Sequence, residues 1–420
     1  MGRARDEPAG CARPRTVIRG DRRWVVAAAS MAVIVTVAAC LGPSIPTPAP
    51  GSSAPTSPSA TATPAGTPVP TPTAGVTWRI GVLTTAGIAG TGPFDAEAHD
   101  GAVRGAAAVG AAQPAIVQAE SESDAGPLLE AFVEQGFNLI VASVGLEAAT
   151  ATAARAHPDV WYVGMDHDPC LDANGEVDPT RADCTGDVAT LLPNYIAIGY
   201  AEDQAGYLAG IAAASLLEAD VVGAIGGSSR CAACIRYLQG FVLGARSVDP
   251  GIDVRVGWVA DDDLALAFDD RDAGRAFGRA FIEEHRGVDV VFQVARTTGL
   301  GVMDAACDAG IMAIGADVDH YESSPAVRSC LLTSAQKHLA ASVSQTIVGI
   351  ADGTGPTGRV RADASQEGIG LAAFRDAGSL LAADTPSRIE AALAAMRAGT
   401  LVTCPADTCG SQDALPLGDP

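Results

Sequence analysis

The chain has 420 residues, with 27 basic against 49 acidic side chains and a formal net charge of −22. A surface that negative repels nucleic-acid phosphates and anionic lipid headgroups, which excludes nucleic acid as a partner and any membrane attachment by charge alone. Lysine is nearly absent: Lys337 is the only one in the chain.

The amino-terminal segment, 1–39, reads as a signal peptide. Seven arginines precede an apolar run at 24–39. That run is shorter than the roughly 20 residues a membrane-spanning helix needs, and suits a signal-peptide core. It ends in Val37-Ala38-Ala39-Cys40, which resembles a bacterial lipobox, with the Cys40 thiol as lipid acceptor. The alternative is an uncleaved anchor with an incidental cysteine. Removing the leader, with its seven basic and three acidic residues, leaves a charge near −26, so attachment to the membrane must come from the lipid. Residues 40–75 follow as an uncharged Pro/Ser/Thr/Ala/Gly stretch after the lipidated cysteine. Such a composition buries too little surface to fold and reads as an extended, disordered linker.

From residue 78 the pattern changes. Continuous apolar runs at 78–83, 115–118, 139–142 and 160–165 alternate with helical stretches at 96–110, 126–135 and 148–157. Runs without polar alternation are expected of a parallel sheet covered on both faces. The alternation restarts with helix 203–217, strand 221–225, helix 233–246, strand 252–258, helix 272–285, strand 288–294, helix 301–309 and strand 311–314. The expected class is therefore α/β, with two successive Rossmann-like lobes. Residues 168–193 interrupt the rhythm and read as a polar surface excursion where the chain crosses between lobes. Asp172, Asn174, Glu176 and Asp178 lie within it, but the glycine is misplaced for a calcium loop and no closing glutamate follows, so a solvated loop is expected.

Eight cysteines of the exported part form four local pairs: Cys170 with Cys184, Cys231 with Cys234, Cys307 with Cys330, and Cys404 with Cys409. Cys231-Ala232-Ala233-Cys234 lacks the second pair or nearby histidine of a zinc site and the context of a redox domain, so structural disulfides are expected in an oxidising compartment. No metal and no cofactor is expected. The chain carries no phosphate-binding Walker loop and no Gly-x-Ser-x-Gly elbow, and its six histidines lack metal-ligand spacing. It does not read as an enzyme.

Several segments in order resemble the basic membrane protein family of solute-binding lipoproteins, which includes purine-nucleoside receptors. They are Gly136-Phe137-Asn138-Leu139-Ile140-Val141, Pro158-Asp159-Val160-Trp161 running to Asp166, and Gln204-Ala205-Gly206-Tyr207-Leu208-Ala209-Gly210. Further on stand Gly223 to Gly227, Gly240-Phe241, Gly244-Ala245, Ile314-Gly315-Ala316-Asp317-Val318-Asp319 and Thr333-Ser334-Ala335-Gln336-Lys337. The resemblance implies a type I periplasmic-binding-protein clamshell with three crossover segments. The boundaries that go with it are 76–195 and 328–350 for the first lobe, and 196–327 and 351–410 for the second. It further implies a small polar ligand, a nucleoside, captured for an ABC permease at the outer face of the cell membrane. A ligand-sensing receptor lipoprotein serving a signalling partner is the alternative.

In such sheets the ligand sits at the carboxyl ends of the strands. That position selects Phe94 and Asp95 after the first strand, Asp166 after 160–165, Phe268 after 252–258, Arg296 and Thr297 after 288–294, and Asp317 after 311–314. Asp166 and Asp317, one per lobe, suit adjacent ribose hydroxyls, because a carboxylate accepts two hydrogen bonds at once. Phe94 and Phe268 are expected to flank a flat base, with core packing as the plainer role. Lys337 is expected to donate to a ribose oxygen and balance the carboxylates, with an ordinary surface position as the alternative. Asp319 is expected to cap rather than to contact ligand. Where the family pattern has Asp-x-Ser-Phe-Asn, this chain has Thr91-Gly92-Pro93-Phe94-Asp95, so Thr91 and Asp95 would read a different set of donors. Ala295-Arg296-Thr297 replaces a glycine-rich turn. Arg296 then either donates to a carbonyl-rich or acidic ligand or forms an ion pair that stabilises its lobe.

Overall fold

A computed structural model describes residues 75–85, 93–178, 181–217, 219–412 and 415. The expected leader, Cys40, the segment up to residue 74 and Thr91 lie outside the described residues.

The first half alternates as its apolar runs require: β1 (Ile80–Thr85), α1 (Pro93–Ala108), β2 (Ala115–Ala119), α2 (Glu122–Glu134), β3 (Leu139–Ala142), α3 (Glu147–Ala156) and β4 (Trp161–Met165). Every residue of β1, β3 and β4 is buried, so these strands show no polar alternation. After α4 (Val188–Leu191), β5 (Tyr195–Tyr200) pairs with β4 in parallel.

The second series is α5 (Glu202–Ala214), β6 (Val221–Gly226), α6 (Ala232–Val248), β7 (Asp253–Trp258), α7 (Leu264–Phe268), α8 (Arg271–Glu284), β8 (Val288–Val294), α9 (Arg296–Ala309), β9 (Met312–Asp317), α10 (His320–Ser323) and β10 (Leu331–Lys337). The chain ends with α11 (Leu339–Asp352), β11 (Gly358–Ala362), β12 (Ile369–Leu371) and α12 (Thr385–Arg397).

Two six-stranded sheets result, ordered β11-β5-β4-β3-β1-β2 and β12-β10-β9-β8-β6-β7. All pairings are parallel except β12 with β10 at the edge of the second sheet. The chain passes between sheets three times, at Tyr200–Glu202, Lys337–Leu339 and Ala362–Ala364.

These crossings move the expected lobe boundaries. β5 belongs to the first sheet, so residues 168–193 are an excursion from one lobe back to itself and do not carry the crossing. Asn194 closes the excursion by donating to the carbonyls of Ala154, His157 and Val160, which ties the entry of β5 to the α3–β4 turn. β10, expected in the first lobe, completes the second sheet. β11, expected in the second lobe, pairs with β5 in the first. Between them α11 packs on α1 of the first lobe at Gly101, where a Cβ would stand 2.7 Å from both the Ala340 carbonyl and the Val343 Cβ.

The Gly-rich pair of α5 and α6 packs more closely still. A side chain at Gly206 would strike the Tyr237 carbonyl, and one at Gly240 the Asp203 carbonyl. That approach sets the first turn of α5 beside the body of α6.

Cys170–Cys184, Cys231–Cys234, Cys307–Cys330 and Cys404–Cys409 are disulfides in the structure. In the excursion Asp172 accepts from the backbone N–H of Asn174 and Glu176, and Asp178 from that of Ala182 and Asp183, so both carboxylates brace turns. Among the described residues no group of three or more His, Cys, Asp or Glu side chains is placed to hold a metal, and no helix is long and apolar enough to cross a membrane.

Candidate ligand-binding cleft

The carboxyl ends of both sheets face one cavity of about 410 Å³, a size usual for small-molecule sites. Its walls include Phe94, Asp166, Phe268, Arg296, Asp317 and Lys337 from the expected set. Asp95 and Thr297 are not among those walls, and Thr91 lies outside the described residues. Asp95 instead sits behind the wall at 6% exposure. It is the third residue of α1, and the helix turns its side chain inward.

Three strand ends share an unusual backbone. Asp166, just after β4, Arg296, two residues after β8, and Asp317, the last residue of β9, have φ of 59°, 52° and 68°. Left-handed backbone in residues with a side chain carries strain, and it concentrates where surrounding structure must aim a functional group.

One end of the cleft is organised around Lys337. Its Nζ lies 2.9 Å from Asp166 Oδ2, 3.2 Å from Glu202 Oε1 and 3.4 Å from Asp317 Oδ1. Only 3% of the lysine side chain is exposed, so it is no surface residue. Burial opposes its charge, but Asp166, Asp317 and Glu202 outweigh that and hold its pKa well above the ordinary lysine value. Tyr237 donates to Asp317 Oδ1 at 3.2 Å, and Arg236 Nε donates to Glu202 Oε2 at 2.9 Å. The Lys337 ammonium also lies over the rings of Tyr200 and Tyr237, at 5.5 and 5.6 Å. Two cations thus face three carboxylates. Acceptor capacity is in surplus on both lobes, which suits a ligand rich in hydroxyl donors.

Near Arg296, the one of the following groups that lines the cavity, pairing is incomplete. Among the described residues, no hydrogen-bond partner reaches the buried Asp95 Oδ1 and Oδ2, Thr85 Oγ1, Ser143 Oγ, Trp258 Nε1, Asp269 Oδ1 or Arg296 Nη2. Burial pushes the Asp95 carboxyl up to about 6, against the pull of nearby Ser143, the Arg296 charge and the Thr85 backbone. Burial likewise raises Asp269, with Arg296 opposing. Arg296 forms no ion pair with Asp166, Asp317 or any other described acid. Unsatisfied buried groups are costly, at about 1–3 kcal/mol each.

The sequence reading missed Glu202, Tyr237 and His167. Glu202 opens α5, one residue before the helix expected at 203–217, and nothing in the sequence sets it apart. Tyr237 lies within an apolar helix face and reads as core. His167 bonds the Tyr195 hydroxyl at 2.6 Å and the Ser143 carbonyl at 2.7 Å, locking together the loops that follow β3 and β4. Asp319 caps α10 by accepting from Tyr321 N–H and pairs with Arg375, in keeping with its expected capping role.

Two doubly wound lobes, three crossovers and a cavity walled by polar groups from both define a solute-binding protein. The chain belongs to the Bmp family, the PnrA-like ABC transporter substrate-binding proteins, which it matches over residues 78–395. It is 28% identical over 190 residues, 45% of this chain and 46% of the relative, to the ABC transporter nucleoside-binding protein BmpA of Lactococcus lactis. The chain spans about half the length of the curated relatives it matches. Among solved structures, an ABC transporter solute-binding protein from Conexibacter woesei shares the fold with a TM-score of 0.59 at 22% identity, covering 77% of this chain and 98% of that one. One from Aeropyrum pernix does so with a TM-score of 0.58 at 19% identity, covering 79% and 95%.

Proposed function

We propose that this substrate-binding protein is a lipoprotein that captures a nucleoside and delivers it, unaltered, to an ABC permease. The observation that carries the reading is the two-ended cleft. A surplus of carboxylate acceptors around Lys337 matches neighbouring sugar hydroxyls. Arg296, on the cavity wall with an unpaired Nη2, offers donors to the edge of a nucleobase. In this reading Asp166 from the first lobe and Asp317 from the second each accept from the ribose, so occupancy favours closure. Phe94 and Phe268 flank the base from opposite lobes. The name of the Lactococcus relative, a nucleoside-binding protein, points the same way.

Arg296 refines the ligand. A guanidinium only donates and keeps its charge, so inosine, guanosine and uridine, with carbonyl oxygens on the base, bind better than adenosine. Calorimetric titration of the purified protein against these four nucleosides tests this. Failure to bind any of them removes the nucleoside reading.

The anchor is tested separately. Cys40→Ser releases the protein into the medium or leaves an unprocessed precursor. Normal processing with unchanged partitioning into detergent removes the lipid.

A further inference from the structure

Of the four disulfides, Cys231–Cys234 alone lies on the cleft. Both of its cysteines, with Ala232 and Ala233 between them, belong to the cavity wall, and no cysteine of the other three pairs does. The pair also opens a helix. Cys231 is the N-cap of the 17-residue α6, and its Sγ accepts the backbone N–H of Cys234 at 3.1 Å. Cys231 is half-buried, whereas Cys234 is only 4% exposed. A reagent inside the cavity therefore meets Cys231 first, and the alanine spacer adds no long side chain to screen it.

Stapling does not account for this pair. It closes a sequence separation of 3, against 14, 23 and 5 for the others, and the entropy a cross-link removes from the unfolded chain falls with loop length. The same turn is already closed by the Ile235 N–H donating to the Cys231 carbonyl at 2.9 Å. What the position supplies is chemistry. Both sulfurs lie in the first turn of a long helix, where the aligned peptide dipoles favour a thiolate. Arg181 and Arg230 share the wall but are paired with Asp168 and Asp262, and Glu147, Asp166, Asp168 and Asp317 also face the cavity. The helix terminus, not the arginines, is thus the source of that stabilisation.

We propose that Cys231–Cys234 is a thiol–disulfide exchange site inside the ligand cleft, that its reactant is a low-molecular-weight thiol, and that Cys231 is the sulfur attacked. A thiolate in the cavity attacks Cys231 Sγ. A new S–S bond forms to Cys231, the bond to Cys234 breaks, and its electron pair leaves on Cys234, which takes a proton from water. A second thiolate attacks the outer sulfur of this mixed disulfide. The small-molecule disulfide forms, and Cys231 leaves as the thiolate that the helix terminus stabilises. Two small thiols are oxidised as one protein disulfide is reduced to two thiols. While the mixed disulfide stands, its small-molecule half fills the cleft, so exchange and ligand capture exclude each other.

The test incubates the oxidised protein under native conditions with reduced glutathione, traps free thiols with N-ethylmaleimide at timed intervals, and maps the peptides by mass. Cys231–Cys234 opens roughly tenfold or more faster than the other three pairs, with glutathione on Cys231 and the trap on Cys234. Exposure alone predicts a different order, because Cys184 and Cys409 are the exposed sulfurs. With glutathione disulfide, Cys234→Ser gives a stable mixed disulfide at Cys231, while Cys231→Ser leaves Cys234 unmodified until the chain unfolds. The wild-type rates need neither variant to fold. Earlier opening of Cys170–Cys184 or Cys404–Cys409, glutathione on Cys234 in place of Cys231, or exchange only under denaturant overturns the proposal. Saturating inosine slows the exchange, and this arm alone rests on the nucleoside reading. Inosine that binds while exchange runs at full speed also overturns the proposal. A protein that ignores inosine removes the nucleoside reading and leaves the exchange rates to decide this one.

Discussion

The two ends of the cleft were built by opposite rules. Around Lys337 every charge has a partner within 3.4 Å, and ring faces cover the ammonium. At Arg296, on the opposite wall, Nη2 has no partner among the described residues, nor have the oxygens of Asp95 behind that wall. The paired end holds its shape without ligand and belongs to the stability of the lobes as much as to binding.

Lys337→Met probes the paired end and should have the largest effect. It leaves Glu202 buried without its ammonium, and removing one member of a buried pair costs about 3–5 kcal/mol. Both ligand binding and the unfolding midpoint in denaturant should fall. A variant that loses binding at unchanged midpoint would show that the cluster serves the ligand alone.

Asp95→Asn probes the unpaired end and should act in the opposite direction on stability. The Asp95 carboxyl is raised to about 6 in the fold from an ordinary 3.8, so its contribution is present below pH 4 and lost as pH rises through 6. The ligand-free amide variant should therefore be more stable than wild type at pH 7.5 by up to about 3 kcal/mol. The difference should fade as pH falls from 6 to 4, and chemical denaturation across that range measures it. A variant destabilised at pH 7.5 would place Asp95 with the paired groups.

Asp317→Ala removes an acceptor from the paired end. It should weaken nucleoside binding by roughly ten- to a hundredfold, the worth of a charge-assisted hydrogen bond. The lost partner of Tyr237 should cost only about 1 kcal/mol of stability beside it. Titration with inosine and denaturant unfolding measure the two separately.

Arg296→Gly should have the smallest effect on overall affinity and the most specific one. It should move the order of preference towards adenosine, read by titrating both proteins against one nucleoside panel. Equal losses across the panel would make Arg296 a structural charge.

Much of this was legible before the fold. Continuous apolar runs located β1, β3, β4, β6, β8 and β9 because a doubly covered strand needs no polar face. Asp166 and Asp317 followed, since the ends of such strands carry the site. Lys337 drew notice as the single lysine. Asp95 was chosen for the right neighbourhood but the wrong orientation, because strand ends locate a residue while helix phase decides whether it faces cavity or core.

By itself, then, the sequence determined two α/β lobes, their strand ends and the local cysteine pairs, all properties of neighbouring residues. The tertiary structure alone decided the routing of β5, β10 and β11, since a short strand is compatible with either sheet until its partner is known. It also decided the company of Lys337. Glu202 and Asp166 are 135 and 171 positions away from it in the chain, and a buried charge finds its partners through packing, not through sequence spacing.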